Sequence, residues 1–175
     1  MIKGTGRAPF YIATHKNMKV SDIIDAISDA VVARGCFIVD VTVGKDNDIL
    51  ITIESESGVV SLDDCEALDR IFEEKFDREV EDYSLTVSSA GLDQPFKIMK
   101  QYVKAIGTKV EAGLKGGRKI VADLVAADEQ GVTLHYAAKE LPPEGKKKVM
   151  VEHQDVIPFS EINFVRPYIT FSETE

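Results

Sequence analysis

Tryptophan is absent from this chain, cysteine occurs twice and histidine three times, and each scarcity excludes something. Two cysteines far apart, Cys36 and Cys65, form no C-x-x-C pair, and no H-E-x-x-H spacing exists, so no zinc site of known spacing is expected. Both cysteines sit in apolar-periodic segments, where reduced, buried thiols are the commoner fate. His15, His135 and His153 are the only imidazoles on offer as catalytic bases. No apolar run approaches the ~20 residues of a membrane span, and the start lacks the apolar core of a signal peptide. A cytoplasmic protein without membrane attachment is the expectation.

What the chain does have is charge, unevenly spread. Its 175 residues carry a net −9. Residues 1–17 hold three basic side chains, residues 18–90 hold 6 basic and 18 acidic ones, and residues 91–175 hold 12 of each. An acidic half repels phosphate and attracts a basic protein, whereas a neutral, lysine-rich half can approach RNA if its lysines share a face.

Three segments follow from periodicity. Residues 1–17 show none and are expected as a disordered leader, with Met18 as a candidate natural start; "GTGRAP" opens like a dinucleotide fingerprint but has no strand before it. In residues 18–90, Ser21 is placed to cap a helix with Ile23, Ile24, Ile27 and Val31 on one face, and Gly35 to end it. "CFIVDVTV" (36–43) and "DILITIES" (48–55) read as strands joined by the "GKDN" turn. Ser61 and Asp64 have capping-box spacing ahead of an apolar stripe, and "YSLTVSS" (83–89) reads as a third strand. The simplest burial is two helices on one face of a three-stranded mixed sheet. In residues 91–175, a helix begun by Asp93, with Pro95 in its first turn and Gly107 near its end, precedes five short β-like runs, a pattern that predicts a small β-barrel. "KELPPEGKKK" is expected to protrude as a loop. The fold class is therefore α+β.

The search for chemistry is mostly negative. Ser88 and Ser89 lie between a strand and a helix, but "TVSSAG" lacks the first glycine of a nucleophile elbow. A serine hydrolase using either residue is the rival reading, and a strand-ending turn is the stronger one. Asp63, Asp64, Glu66 and Asp69 crowd the first turns of a helix; Mg²⁺ is the lesser reading, because the dipole favours carboxylates there without any metal. Lys97, Lys100 and Lys104 recur at helical spacing, and Lys109, Lys115, Arg118 and Lys119 follow in the first β runs and their turn. These seven are the candidate phosphate contacts. Phe96, Tyr102 and Tyr136 are the sparse candidates for base stacking, the first two being expected to pack instead.

"TVSSAGLDQPF" (86–96) resembles the signature "EVSSPGLDRPL" of the ribosome maturation factor RimP family. "SLDDCEALDRIF" is similar to the family's acidic, cysteine-containing helix start, and "VIPFSEINFVRP" to its closing strand pair. The likeness spans about residues 18–168. It implies an N-terminal α/β domain over 18–90 and a C-terminal SH3-like barrel domain over 91–175. It also implies a non-enzymatic, cofactor-free factor that binds the immature small ribosomal subunit, contacting small-subunit rRNA and a basic ribosomal protein.

Position by position, Ser88, Ser89, Gly91, Leu92, Asp93 and Pro95 match the junction signature, and Asp63, Asp64 and Cys65 match the helix start. Glu66 joins Asp63 and Asp64 as a candidate contact for the basic protein. Two departures stand out. Ala90 replaces a proline, releasing a φ restraint worth about 0.4–1 kcal/mol where the native conformation fits it. Gln94 replaces an arginine, which shifts any phosphate contact toward Lys97 or Lys100. A monomer is expected, and a peptide-binding or self-associating adaptor is a further alternative.

Overall fold

The computed structural model describes residues 17–170 and contains α1 (Val20–Ala33), β1 (Cys36–Val43), β2 (Asp48–Ser55), α2 (Leu62–Lys75), β3 (Ser84–Ser89), α3 (Met99–Ala105), β4 (Lys109–Leu114), β5 (Lys119–Ala127), β6 (Gly131–Glu140), β7 (Val149–Pro158) and β8 (Ile162–Pro167). All but one residue of the expected leader lie outside the described residues. No helix among the described residues is long and apolar enough to cross a membrane.

The first sheet has the order β1-β2-β3, with β1 antiparallel and β3 parallel to β2. Isoleucines 49, 51 and 53 alternate onto its covered face and are fully buried. Against them pack Ile23, Ile27 and Val31, one stripe of α1, and Leu68 and Phe72 of α2. Phe72 meets Phe76 and Tyr83 with ring centroids 4.5 and 5.1 Å apart. This is the predicted arrangement of two helices on a mixed sheet. One detail differs: Lys19 takes the N-cap position of α1 without a side-chain cap, and Ser21 Oγ donates to Asp22 instead of capping. The capping box of α2 forms as its spacing indicates, Asp64 N donating to Ser61 Oγ at 3.1 Å and Ser61 N to Asp64 Oδ2 at 3.0 Å. Cys36 is buried and Cys65 half-buried, both free, with burial pushing each thiol above its ordinary pKa.

The second sheet is antiparallel with the order β7-β6-β5-β4-β8 and has its own core of Val110, Ala112, Leu124, Val132, Leu134 and Val165. Its edges, β7 and β8, are consecutive in the chain. If the sheet lay flat, four spacings of about 4.8 Å would hold them ~19 Å apart. Only Phe159–Glu161, a single 3-10 turn, joins them, and four Cα steps reach at most ~14 Å. The sheet must therefore curl. Phe159 N donates to Gln130 O and Lys115 N to Glu161 O, pinning that turn to both ends of the curled sheet. This is the barrel-like strand order expected, with one correction: no ladder pairs β7 with β8, so the barrel is not closed by hydrogen bonds.

The helix expected from Asp93 is also corrected, since it starts six residues later. Proline disfavours helical geometry at the residue before it, here Gln94. Phe96 N then donates to Val165 O, drawing the segment onto β8 as extended chain. The helix begins only where Gln101 Oε1 can accept from Lys97 N at 2.7 Å and Ile98 N at 3.3 Å. Phe96 and Tyr102 pack edge to face 5.0 Å apart, as expected.

Candidate functional site

The junction signature runs from the end of β3 into the extended segment before α3. Ser88 and Ser89 are strand residues, in register with Thr52 and Ile53 of β2. Among the described residues no histidine hydrogen-bonds to either serine. His135 Nε2 lies 3.1 Å from Glu152, and His153 Nε2 2.8 Å from Glu140, both on the second sheet. The nucleophile–base contact that serine chemistry needs is not formed by these two. The fixed point of the junction is backbone: Ala90 N donates to Ile53 O at 2.9 Å and Gln94 N to Gly91 O at 3.1 Å. Ser89, Ala90, Gly91, Leu92 and Gln94 then form one wall of a cavity of about 280 Å³, and Glu54, Gln101 and Lys104 stand on another.

Each lysine of the row is paired with a carboxylate, although Lys97 and Lys100 keep 59% and 48% of their side chains exposed. Lys97 Nζ lies 2.6 Å from Asp40 Oδ2, Lys100 pairs with Glu56, and Lys104 Nζ lies 2.9 Å from Glu54 Oε1 and 3.1 Å from Gly58 O. Gln101 Nε2 adds 2.9 Å to Glu54 Oε2, and the Lys100 ammonium sits 4.8 Å over the Phe37 ring. Lys104 and Glu54 are the most shielded of these, with side chains 27% and 20% exposed. Three lysines that share a direction thus meet three carboxylates of β1, β2 and the residue after it. Sequence spacing predicted the shared direction but not what it meets, because partners 44 to 57 residues away leave no local pattern. Phe37 and Val39, buried but in neither core, lie on this side of the first sheet.

The remaining candidates lie elsewhere. Lys109 and Lys119 point outward from β4 and β5, alternating with the buried Val110 and Ile120. Lys109 pairs with Asp123 at 3.1 Å and Lys119 with Glu111 at 3.7 Å. Lys115 and Arg118 occupy the turn between those strands, Arg118 lying 5.9 Å from the Tyr136 ring. Tyr136 is itself buried and donates to Asp155 at 2.6 Å, which raises its pKa and withdraws it from stacking on a base.

An aromatic of the second sheet outside those candidates is Phe164 of β8. Its half-buried ring lies across Gly113 so closely that a Cβ there would collide with it. Lys119 and Arg166 flank that ring at 5.9 and 5.3 Å, and Glu111 bridges both cations. Alternation in "NFVRP", with Val165 buried between Phe164 and Arg166, was the available signal.

The acidic helix start splits by role. Asp64 is committed to Ser61 and, at 3.0 Å, to Arg34; the Ser61 hydrogen bonds chiefly hold its carboxyl below the usual range. Asp63 is exposed without a salt bridge among the described residues, and Glu66 touches only Arg70 at 3.9 Å.

Residues 26–93 match the family model of the RimP N-terminal domain. The chain is 36% identical over 135 residues to the ribosome maturation factor RimP of Christiangramia forsetii, covering 77% of this chain and 87% of that protein. It is 33% identical over 134 residues to the RimP of Porphyromonas gingivalis, with the same coverage, and 32% identical over 126 residues to that of Flavobacterium psychrophilum, covering 72% and 80%. The chain belongs to the ribosome maturation factor RimP family.

Proposed function

We propose that the protein assists maturation of the small (30S) ribosomal subunit in the cytoplasm, as a monomer, by transient binding without catalysis or cofactor. Membership of a family named for ribosome maturation carries this reading. Charge geometry supports a division of labour between the two parts, with the domain boundary at residues 90/91. The first part, with 18 acidic and 6 basic side chains over 18–90, offers Asp63 and Glu66 to a basic small-subunit ribosomal protein. The outer face of the second sheet offers Lys109, Lys115, Arg118 and Lys119, with Arg166 and Phe164 beside them, to rRNA phosphates and bases. Lys97, Lys100 and Lys104 join that contact only when phosphates take the place of Asp40, Glu56 and Glu54.

Sedimentation of cell extracts tests the proposal. The protein should travel with precursors of the small subunit and be missing from mature ribosomes and polysomes. Its absence from the precursors would overturn the reading.

A further inference from the structure

β3 is the unguarded strand edge among the described residues. Edge strands are ordinarily protected by a lysine, a proline, a bulge or a covering segment, because their free N–H and C=O groups invite another strand. β1 carries a bulge between Ile38 and Asp40, β8 receives the Phe96 N–H, and β7 bears Glu152, His153 and Asp155. β3 has none of these devices. Its sequence, SLTVSS, holds no charge and no proline; it pairs with β2 without a register shift, and its other side pairs with no strand among the described residues.

An open groove of about 280 Å³ runs beside that edge. Leu85 and Val87, which pack toward the first core, line one side; Leu62, Cys65, Glu66 and Asp69 of α2 line the other. Leu62 is 73% exposed, an apolar side chain at a place where nothing of the described chain covers it. The combination is a slot with backbone partners on one flank, apolar side chains within, and carboxylates on the far rim. An added strand needs those three things: ladder hydrogen bonds for affinity, and pockets for alternate side chains for specificity. The surrounding charge selects a cationic strand.

We infer that the β3 edge receives an extended lysine- or arginine-rich segment of a partner protein as a fourth strand of the first sheet. Alternate apolar side chains of that segment enter the groove, and its cations meet Glu66 and Asp69. This rests on the reading that a basic protein is the partner, and adds where it binds and in what conformation.

Two fluorescent twelve-residue peptides of alternating lysine and valine test it on the full chain, one ordinary and one N-methylated at every amide. Both carry the same charge, but only the first completes a ladder. The ordinary peptide should bind at least about tenfold tighter and slow amide hydrogen exchange in β3. The double variant E66K/D69K should weaken it about tenfold with an unchanged far-UV spectrum. Should that variant misfold, Thr86→Lys, which sets a cation on the exposed edge, should do the same.

Equal binding of the two peptides, or protection that spares β3, would overturn the inference. So would binding that emerges only when residues 1–16 are deleted, which assigns the edge to the chain's own segment. If peptide binding fails while the protein still sediments with subunit precursors, the edge proposal falls and the maturation reading stands. Peptide binding without co-sedimentation keeps the edge site and overturns the maturation reading.

Discussion

Two groups of cations in this protein have the same charge and opposite surroundings. Lys97, Lys100 and Lys104 reach across the junction and end on Asp40, Glu56 and Glu54. Lys109, Lys115, Arg118 and Lys119 stand on the second sheet and its turn, where carboxylates touch two of the four and an aromatic ring lies near two. The first group bridges to carboxylates of the other part; the second meets carboxylates only of its own sheet. A row of lysines at helical spacing is therefore not evidence of a nucleic-acid surface until its opposite number is known. Here the carboxylates of the acidic half occupy the positions that phosphates would take.

Reversing the first group should produce the largest effect. In K97E/K100E/K104E the three attractions vanish and three like-charge contacts replace them. At up to ~1 kcal/mol for each exposed pair, up to about 3 kcal/mol of attraction between the two parts disappears, and repulsion of similar size replaces it. Small-angle scattering should then report a larger radius of gyration, with each part still folded. Adding D40K, E54K and E56K should restore the compact value. If the triple variant scatters like the parent, the pairs contribute nothing to the arrangement.

Reversing the second group should leave the shape alone and change RNA binding. K115E/R118E/K119E is expected to flatten the dependence of log K on log salt by about one unit for each phosphate that the protein no longer neutralises. Phe164→Leu, which retains an apolar cover over Gly113, should cost about 1 kcal/mol toward single-stranded RNA and little toward duplex, because only unpaired bases stack on a ring. An unaltered salt slope would remove this face from the RNA contact and leave the comparison without its outward half.

A smaller effect separates the committed carboxylate of α2 from the free ones. Asp64 is held below its ordinary pKa, mainly by Ser61. Its folded value lies under its unfolded one, so its stabilisation is present above the unfolded pKa and is lost as pH falls through the folded pKa. Acid unfolding of the parent should therefore include a component that Asp64→Asn lacks. Equal acid profiles for the two proteins would deny Asp64 its special place.

Local signals were legible in the sequence and distant ones were not. The capping box, the isoleucine alternation of β2 and the strand runs of the second sheet are patterns within ten residues, and each formed. The start of α3 was misplaced because the deciding partner of Phe96 is Val165, some seventy residues on. The junction was located from its residue types, yet its mechanical content, a backbone bond from Ala90 to Ile53, depends on the parallel pairing of β2 and β3. The seven candidate cations were all present, but their division into inward and outward sets needed both parts of the fold.

The smallest prediction concerns the residue between those sets. Ala90 stands where the family signature has proline, and its N–H donates to Ile53 O at 2.9 Å. Proline has no such hydrogen to give. Ala90→Pro should therefore lose about 0.5–1.5 kcal/mol of hydrogen bonding and regain about 0.4–1 kcal/mol from a stiffer unfolded chain. The two nearly cancel, and chemical denaturation should find a change within about 1 kcal/mol, on the destabilising side. A stabilisation by the full proline increment would mean that the Ala90 bond contributes nothing. The junction would then be held by the side chains of α3 and Lys97, with Gln101 Nε2 on Glu54 Oε2 beside the three ion pairs.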